Sequence, residues 1–240
     1  ILNNDSSWSS GMIIKYNNNG ETQWGISISA YVSVEIMSVV ETQDGGFIVG
    51  GNYSSSQRVV NLGNDVILDR NNRKAGMIIK YDGEGNAQWA HEIGGDSKNT
   101  QGDGIKSVRL ANDGGVILGG YFSSNNVILK DDIVLKNSNS NNCEGMIIKY
   151  DVNGHAQWAK VIGGDDHDYI NSAAETNAGE IIAGGYFESN SIDLENGITL
   201  NNNGSTDGMI IKIAEEMGVP EAQEITVENS IKEFKITTDV

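Results

Sequence analysis

The sequence predicts an all-β protein made of repeated units of antiparallel strands. A segment beginning GMIIK starts at Gly11, Gly76, Gly145 and Gly208, at spacings of 65, 69 and 63 residues. A second segment, which contains a Gly pair, lies between these copies. It is anchored at Gly45, Gly114 and Gly179, at spacings of 69 and 65 residues. Two independent markers with a similar period indicate a repeat architecture.

Composition agrees with strands and tight turns. The 240 residues include 30 Gly and one Pro, and the 38% of hydrophobic residues are supplied mainly by Ile and Val. β-branched residues favour pleated strands, while Gly, Asn and Ser favour turns. Cys143 is the one cysteine, so an internal disulfide is excluded.

Each unit is predicted to contain four strands. The first is exemplified by GIKSVRLA from Gly104, the second by GVILGGYF from Gly115 and the third by GMIIKYD from Gly145. The fourth is exemplified by AQWAHEIGG, which ends at Gly95. Turns such as DGEGN join the third strand to the fourth, and turns of one or two residues separate the first from the second. Short strands repeated in this order predict the four-stranded blades of a β-propeller.

A longer insert separates the second and third strands of each unit. Its complete copies occupy residues 58–75, 125–144 and 190–207, and each places two short apolar runs around a polar turn. This pattern predicts an additional β-hairpin in every unit.

The chain is expected to begin inside a unit. Residues 1–4 (ILNN) match the second half of the insert, near residues 198–202. Residues 1–213 are therefore predicted to hold about three and a half blades. That number does not easily close a ring, so we expect either an open arc or a ring completed by the remaining blades of a longer parent chain. An open arc would expose apolar edges and invite association.

The repeat pattern weakens after residue 213. Residues 214–240 contain the one proline, Pro220, in a Glu-rich connection that is typical of a linker. Two interpretations of this tail stay open. Residues 222–227 could supply the last outer strand, or strands near 224–227 and 232–238 could begin an immunoglobulin-like surface module.

The order of the repeated segments resembles the bacterial SBBP β-propeller repeats over residues 1–213. The strand order, the Gly pairs and the Trp that follows the turn carry this resemblance. Four methionines stand where that family more often has Phe: Met12, Met77, Met146 and Met209. The resemblance implies a propeller fold in a secreted or bacterial cell-surface protein. It implies no reaction and no cofactor.

Charge and hydropathy exclude two classes of partner. The formal net charge is −17, whereas nucleic-acid binding needs clustered Lys and Arg. No apolar run approaches the length of a membrane span, so membrane insertion is not expected.

Strand geometry predicts where a ligand would bind. In an antiparallel four-stranded sheet, the inserts and the connections between units leave from one end, which repeat proteins commonly use for binding. The leading hypothesis is therefore a non-catalytic binding or spacer module of an extracellular protein, with a protein or a glycan as partner. A first alternative is carbohydrate binding through aromatic residues such as Tyr121 or Tyr186. A second alternative is an extracellular hydrolase.

Two groups of side chains invite a metal or sugar interpretation. Asp165, Asp166, His167 and Asp168 are the densest group of possible cation ligands, but capping of the turn by hydrogen bonds to nearby backbone amides is favoured over a metal site. Trp24, Trp89 and Trp158 recur at equivalent positions, where packing between blades is favoured over sugar stacking.

No catalytic set is predicted. His91, His155 and His167 are scattered along the chain, and Cys143 has no positioned base beside it. We therefore expect no enzyme activity and assign no catalytic, cofactor-binding or metal residue. Whether Asp165, Asp166 and Asp168 bind a cation stays open.

Overall fold

The protein is built from β-strands. The computed structural model describes residues 9–28, 33–54, 59–69, 74–97, 101–139, 141–194 and 197–214. These residues form twenty strands and no α-helix, so this part of the chain has no helix capable of crossing a membrane. The predicted match at residues 1–4 and both interpretations of the tail beyond residue 214 lie outside the described residues.

The strands follow the repeat. The first unit contains β1 (Gly11–Tyr16) and β2 (Thr22–Ile28). The second contains β3 (Ser33–Glu41), β4 (Phe47–Ser54), β5 (Val59–Gly63), β6 (Val66–Asp69), β7 (Lys74–Tyr81) and β8 (Ala87–Ile93). The third contains β9 (Gly95–Ser97), β10 (Gly104–Leu110), β11 (Val116–Phe122), β12 (Ser124–Ile128), β13 (Val134–Lys136), β14 (Glu144–Tyr150) and β15 (Ala156–Ile162). The fourth contains β16 (Asp168–Glu175), β17 (Ile181–Phe187), β18 (Ser191–Leu194), β19 (Ile198–Asn201) and β20 (Asp207–Ile213).

Each unit forms one main antiparallel sheet with its strands in chain order. The second sheet has the order β3-β4-β7-β8 and the third has the order β10-β11-β14-β15. The fourth sheet, β16-β17-β20, lacks an equivalent of β15 among the described residues, and the first sheet consists of β1 and β2. The predicted all-β class and the predicted strand order are confirmed.

The inserts form small sheets of their own, as predicted. Strand β5 pairs with β6, β12 with β13, and β18 with β19. One strand was not predicted. Strand β9, which belongs to the connection before the third sheet, pairs with β12 and extends that insert to three strands.

The turns between the first and second strands are longer than predicted. Five residues, Thr42 to Gly46, separate β3 from β4. The Thr42 N–H donates to the Gly46 carbonyl at 2.9 Å, and the Gly45 N–H donates to the Thr42 carbonyl at 3.0 Å. Gly45 has a φ of +77°, a backbone conformation in which a non-glycine residue would be strained. The prediction of one or two residues is wrong because this hairpin adds a left-handed glycine to its turn.

Consecutive sheets pack against each other in chain order. Strand β10 contacts β3, β4 and β7 of the second sheet, and β16 contacts β10, β11 and β14 of the third. The same polar contact recurs at both interfaces. The Val108 N–H donates to Ser38 Oγ at 3.0 Å, and the Ala173 N–H donates to Ser107 Oγ at 3.2 Å. Each sheet therefore stands in a similar relation to the next, with a buried apolar core between them.

Candidate functional site

The inserts and the connections between sheets meet at one end of the sheets, here called the insert end. The Asn190 side-chain amide at the start of an insert donates to Asp165 Oδ2 at 2.6 Å, and the Asn139 amide of the preceding insert donates to the Asp165 carbonyl at 3.2 Å. The pairing of β9 with β12 is a third link of this kind. The bases of the inserts therefore meet the connections at this end. The tips of the inserts reach the opposite end, where the Asn64 amide donates to the Ala87 carbonyl at 3.4 Å and Asp131 Oδ2 accepts from the Ala156 N–H at 2.6 Å.

Two buried aspartates hold this end together. Asp168 accepts hydrogen bonds from the Gly164 N–H at 2.8 Å and from Ser189 Oγ at 2.7 Å. Asp103 occupies the equivalent position in the third unit. It accepts from the Gly95 N–H at 3.0 Å and from Ser124 Oγ at 2.6 Å. Burial raises the pKa of Asp168, while these hydrogen bonds act in the opposite direction.

The other members of the acidic group also have local partners. Asp165 accepts from the backbone and the side chain of Asn190, and Asp166 Oδ1 accepts from the His167 N–H at 2.9 Å. His167 Nδ1 accepts from the Cys143 N–H at 2.9 Å. Across the described residues, no three His, Cys, Asp or Glu side chains come together as a metal site would require. The geometry supports the turn-capping interpretation of these aspartates.

The hairpin turns between third and fourth strands are organised by a single side chain each. Asp82 Oδ1 accepts from the N–H groups of Glu84 at 3.0 Å and Asn86 at 2.8 Å. Asp151 Oδ1 makes the same two bonds to Asn153 and His155, each at 2.9 Å. These residues are capping groups of Asx-type turns.

Three tyrosines gather at the insert end, and we call them the tyrosine cluster: Tyr121, Tyr169 and Tyr186. The rings of Tyr169 and Tyr186 are stacked, with centroids 4.8 Å apart and an interplanar angle of 26°. The rings of Tyr121 and Tyr169 are tilted, with centroids 5.1 Å apart. Tyr121 is buried, whereas Tyr169 and Tyr186 are partly exposed. The cluster therefore offers aromatic surface to a ligand.

Sheet register and sheet packing bring the cluster together. Tyr169 on β16 stands directly opposite Tyr186 on β17. Tyr121 belongs to the preceding sheet, where its partner across the strands is Gly104. A Cβ atom on Gly104 would lie 2.9 Å from the Tyr121 ring, so the absence of a side chain there makes room for the ring.

The surroundings of the cluster are polar. Lys106 Nζ lies 5.4 Å from the centre of the Tyr121 ring, and the His167 ring lies 6.3 Å from that of Tyr169. Burial raises the pKa of Tyr121 to about 12 and raises the pKa values of Tyr169 and Tyr186. All three hydroxyl groups are therefore protonated at neutral pH and can donate hydrogen bonds.

The candidate nucleophile is not activated. Cys143 is fully buried, and its thiol donates to Gln101 Oε1 at 2.9 Å. Burial raises the pKa of Cys143 to about 11, so little thiolate is present at neutral pH. The histidines have structural partners. His91 lies between the rings of Trp89 and Tyr150, and His155 contacts Asp131 at 3.0 Å.

The recurring tryptophans lie between sheets. The Trp24 ring stacks on Phe47 of the following sheet at 5.3 Å, and its Nε1–H donates to the Gly83 carbonyl of that sheet at 3.3 Å. Trp89 is partly buried against the core between the second and third sheets, and Trp158 is partly buried against the core between the third and fourth. The packing interpretation of these residues is confirmed.

Sequence reasoning missed two members of the site. Tyr169 follows the acidic group directly, and Lys106 lies on a strand with no unusual pattern. Only the register of β16 against β17 shows that Tyr169 faces Tyr186. No protein-family model matches the chain, and neither does any curated protein.

Proposed function

We propose that the chain is a non-catalytic binding module whose ligand contacts the insert end around the tyrosine cluster. The observation that carries this proposal is the convergence of Tyr121, Tyr169 and Tyr186 from two sheets, with two of the rings partly exposed. The buried Asp103 and Asp168 give the surrounding connections a fixed backbone. A preformed surface of this kind costs little conformational entropy on binding.

The stacked sheets are, in this proposal, blades of a β-propeller of the SBBP type. Three features support the assignment: the strand order within each sheet, the packing of consecutive sheets and the sequence resemblance of residues 1–213. The same resemblance supports placement in a secreted or cell-surface protein of a bacterium.

Carbohydrate is the ligand class that the cluster favours. Sugars present apolar ring faces that pack on aromatic side chains, and their hydroxyl groups need hydrogen-bond partners at the edge. Tyr186 supplies a partly exposed ring, and the insert end carries Asn and Asp side chains such as Asn139 and Asp165.

A glycan array tests this proposal. We expect the wild-type chain to bind a defined group of glycans, and we expect Tyr186→Ala to weaken that binding about tenfold, equivalent to about 1.4 kcal/mol of lost stacking. Val152→Ala is the control, because Val152 is exposed and lies in the turn between β14 and β15, away from the tyrosine cluster.

Three outcomes would count against the proposal. A blank array would contradict the ligand class, and equal losses in both variants would contradict the position of the site. Hydrolysis of a bound glycan, abolished by changing one Asp or Glu, would replace the binding module with a hydrolase.

A further inference from the structure

Among the described residues, nothing covers one apolar face of the fourth sheet. Ile182 is 44% exposed and Ile210 is 78% exposed, and both lie on the side that faces away from the third sheet. The equivalent isoleucines of the two preceding sheets are fully buried: Ile48 and Ile78 in the second, Ile117 and Ile147 in the third. Each of those two sheets packs against a following sheet that the structure describes.

Two glycines of this face, Gly184 and Gly208, have open space in front of them, unlike their equivalents in the earlier sheets. A Cβ atom on Gly50 would lie 2.4 Å from Val108 Cγ2 of the next sheet, and one on Gly119 would lie 3.0 Å from Ile170 Cγ2. Gly184 is the equivalent residue of the fourth sheet, and the nearest atom there is 3.8 Å away in its own sheet. Gly208 also has nothing within 4 Å. The open space at Gly184 therefore corresponds to the space that the following sheet fills beside Gly50 and Gly119.

The lysine at the edge of this face does not prevent burial. Lys212 Nζ is paired with Glu180 within the sheet at 2.6 Å. The equivalent residues Lys80 and Lys149 are buried in the second and third sheets, where each pairs with an aspartate. A lysine at this position is thus part of a covered interface in both earlier sheets.

The first sheet carries the opposite half of the same interface. Met12 and Tyr16 are 65% and 56% exposed. Their equivalents in the next two sheets are buried: Met77 and Tyr81, and Met146 and Tyr150. These residues face the preceding sheet in each case.

The two exposed faces correspond to partners that meet inside the molecule. The core between the second and third sheets joins Ile48 and Ile78 to Met146 and Tyr150. The core between the third and fourth sheets joins Ile117 and Ile147 to Met209. Ile182 and Ile210 at one end match the first side of these cores, and Met12 and Tyr16 at the other end match the second.

We propose that copies of this chain associate head to tail, with the fourth sheet of one copy packed on the first sheet of the next. The faces fit each other because they repeat an interface that the chain already forms internally. Tyr186 lies on the same face of β17 as Ile182 and Gly184, so this association and a ligand bound at Tyr186 would exclude each other. Such a contact uses two different surfaces, so it continues into rings or filaments rather than ending at a symmetric dimer. The net charge of −17 opposes association, and salt that screens this repulsion is expected to promote it.

Sedimentation at increasing protein concentration and physiological ionic strength tests the proposal. The wild-type mass is expected to rise with concentration beyond that of a dimer. Ile210→Lys places an unpaired charge in the contact and is expected to raise the dissociation constant about 100-fold or more. Ile128→Lys is the matched control, because Ile128 is also 65% exposed but lies on the insert strand β12.

A mixing experiment separates this contact from non-specific stickiness. Met12→Lys blocks the first sheet and leaves the fourth free, whereas Ile210→Lys does the reverse. Each variant alone is expected to stay monomeric, and an equimolar mixture is expected to form one-to-one dimers and nothing larger. A wild-type chain that stays monomeric, an Ile210→Lys variant that associates normally, or a mixture without dimers would each overturn the proposal.

Discussion

In the second, third and fourth units, a carboxylate pairs with the lysine of the GMIIK segment. Lys80 pairs with Asp44 at 2.7 Å, and Lys149 pairs with Asp113 at 3.1 Å. In the fourth unit the aspartate position is Ala178, and Glu180, two residues later, pairs with Lys212 instead. The hydrogen bond from Lys80 lowers the pKa of Asp44. The nearly buried ammonium groups of Lys80 and Lys149 need such a partner, and the half-exposed Lys212 has one as well.

Asp168 is one of two buried aspartates whose loss is expected to be costly at the insert end. Asp168→Ala leaves the Gly164 N–H and the Ser189 hydroxyl without their acceptor, at a cost of about 3 kcal/mol in the free energy of unfolding. Denaturant titration measures this change. Asp166→Ala is the control, because Asp166 is exposed and bonds its own neighbour, so its effect should stay within about 0.5 kcal/mol. Equal effects in the two variants would contradict the structural role of Asp168.

The cost of Asp168→Ala should also depend on pH. Because burial raises the pKa of Asp168 in the folded state, ionisation of this group opposes folding. Its contribution to stability is complete below the pKa of the unfolded state, about 3.9, and is lost as pH rises through the folded-state pKa. The difference between wild type and variant should therefore be larger near pH 3.5 than at pH 7. A larger difference at pH 7 would show that the folded-state pKa is lowered instead.

At the scale of the strand, the second strands of the second and third sheets depend on glycine for close approach to the following sheet. Gly50→Ala would bring a methyl group within 2.4 Å of Val108 and is expected to destabilise the protein by about 1–3 kcal/mol. Gly184→Ala makes the same change at the equivalent position of the uncovered face, where we expect an effect within about 0.5 kcal/mol. Thermal or denaturant unfolding of the pair measures both. A Gly184 variant as unstable as the Gly50 variant would mean that strand propensity, not sheet packing, selects glycine.

The elements that sequence reasoning identified are those with strong side-chain patterns. The Gly-rich turns, the GMIIK strands and the insert hairpins all repeat, and each was found near its true position. Strand β9 was missed because Gly95–Ser97 has no apolar alternation and pairs with β12 through its backbone. The tyrosine cluster was half predicted. Tyr121 and Tyr186 occupy equivalent positions of the repeat. Tyr169 does not recur, because the third unit has Gly104 at the equivalent position, and only the register of β16 against β17 places Tyr169 opposite Tyr186.

The whole molecule is organised by contacts between neighbouring sheets. Three apolar cores lie between successive pairs of sheets, and no single core spans all four in the described residues. Stability in such an arrangement is close to a sum over units and their interfaces. The two end sheets are then the places where half an interface remains uncovered, which is where the proposed association between copies begins.

Consecutive sheets stack in the same relation along the chain. Nuclear Overhauser effects between the Hα atoms of three glycines and methyl groups of the following sheet test this arrangement most directly. The structure predicts cross-peaks from Gly11 to Val34, from Gly50 to Val108 and from Gly119 to Ile170, one at each interface. Absence of these cross-peaks, together with contacts between non-consecutive sheets as in a β-sandwich, would contradict the stacked arrangement and the position of the insert end.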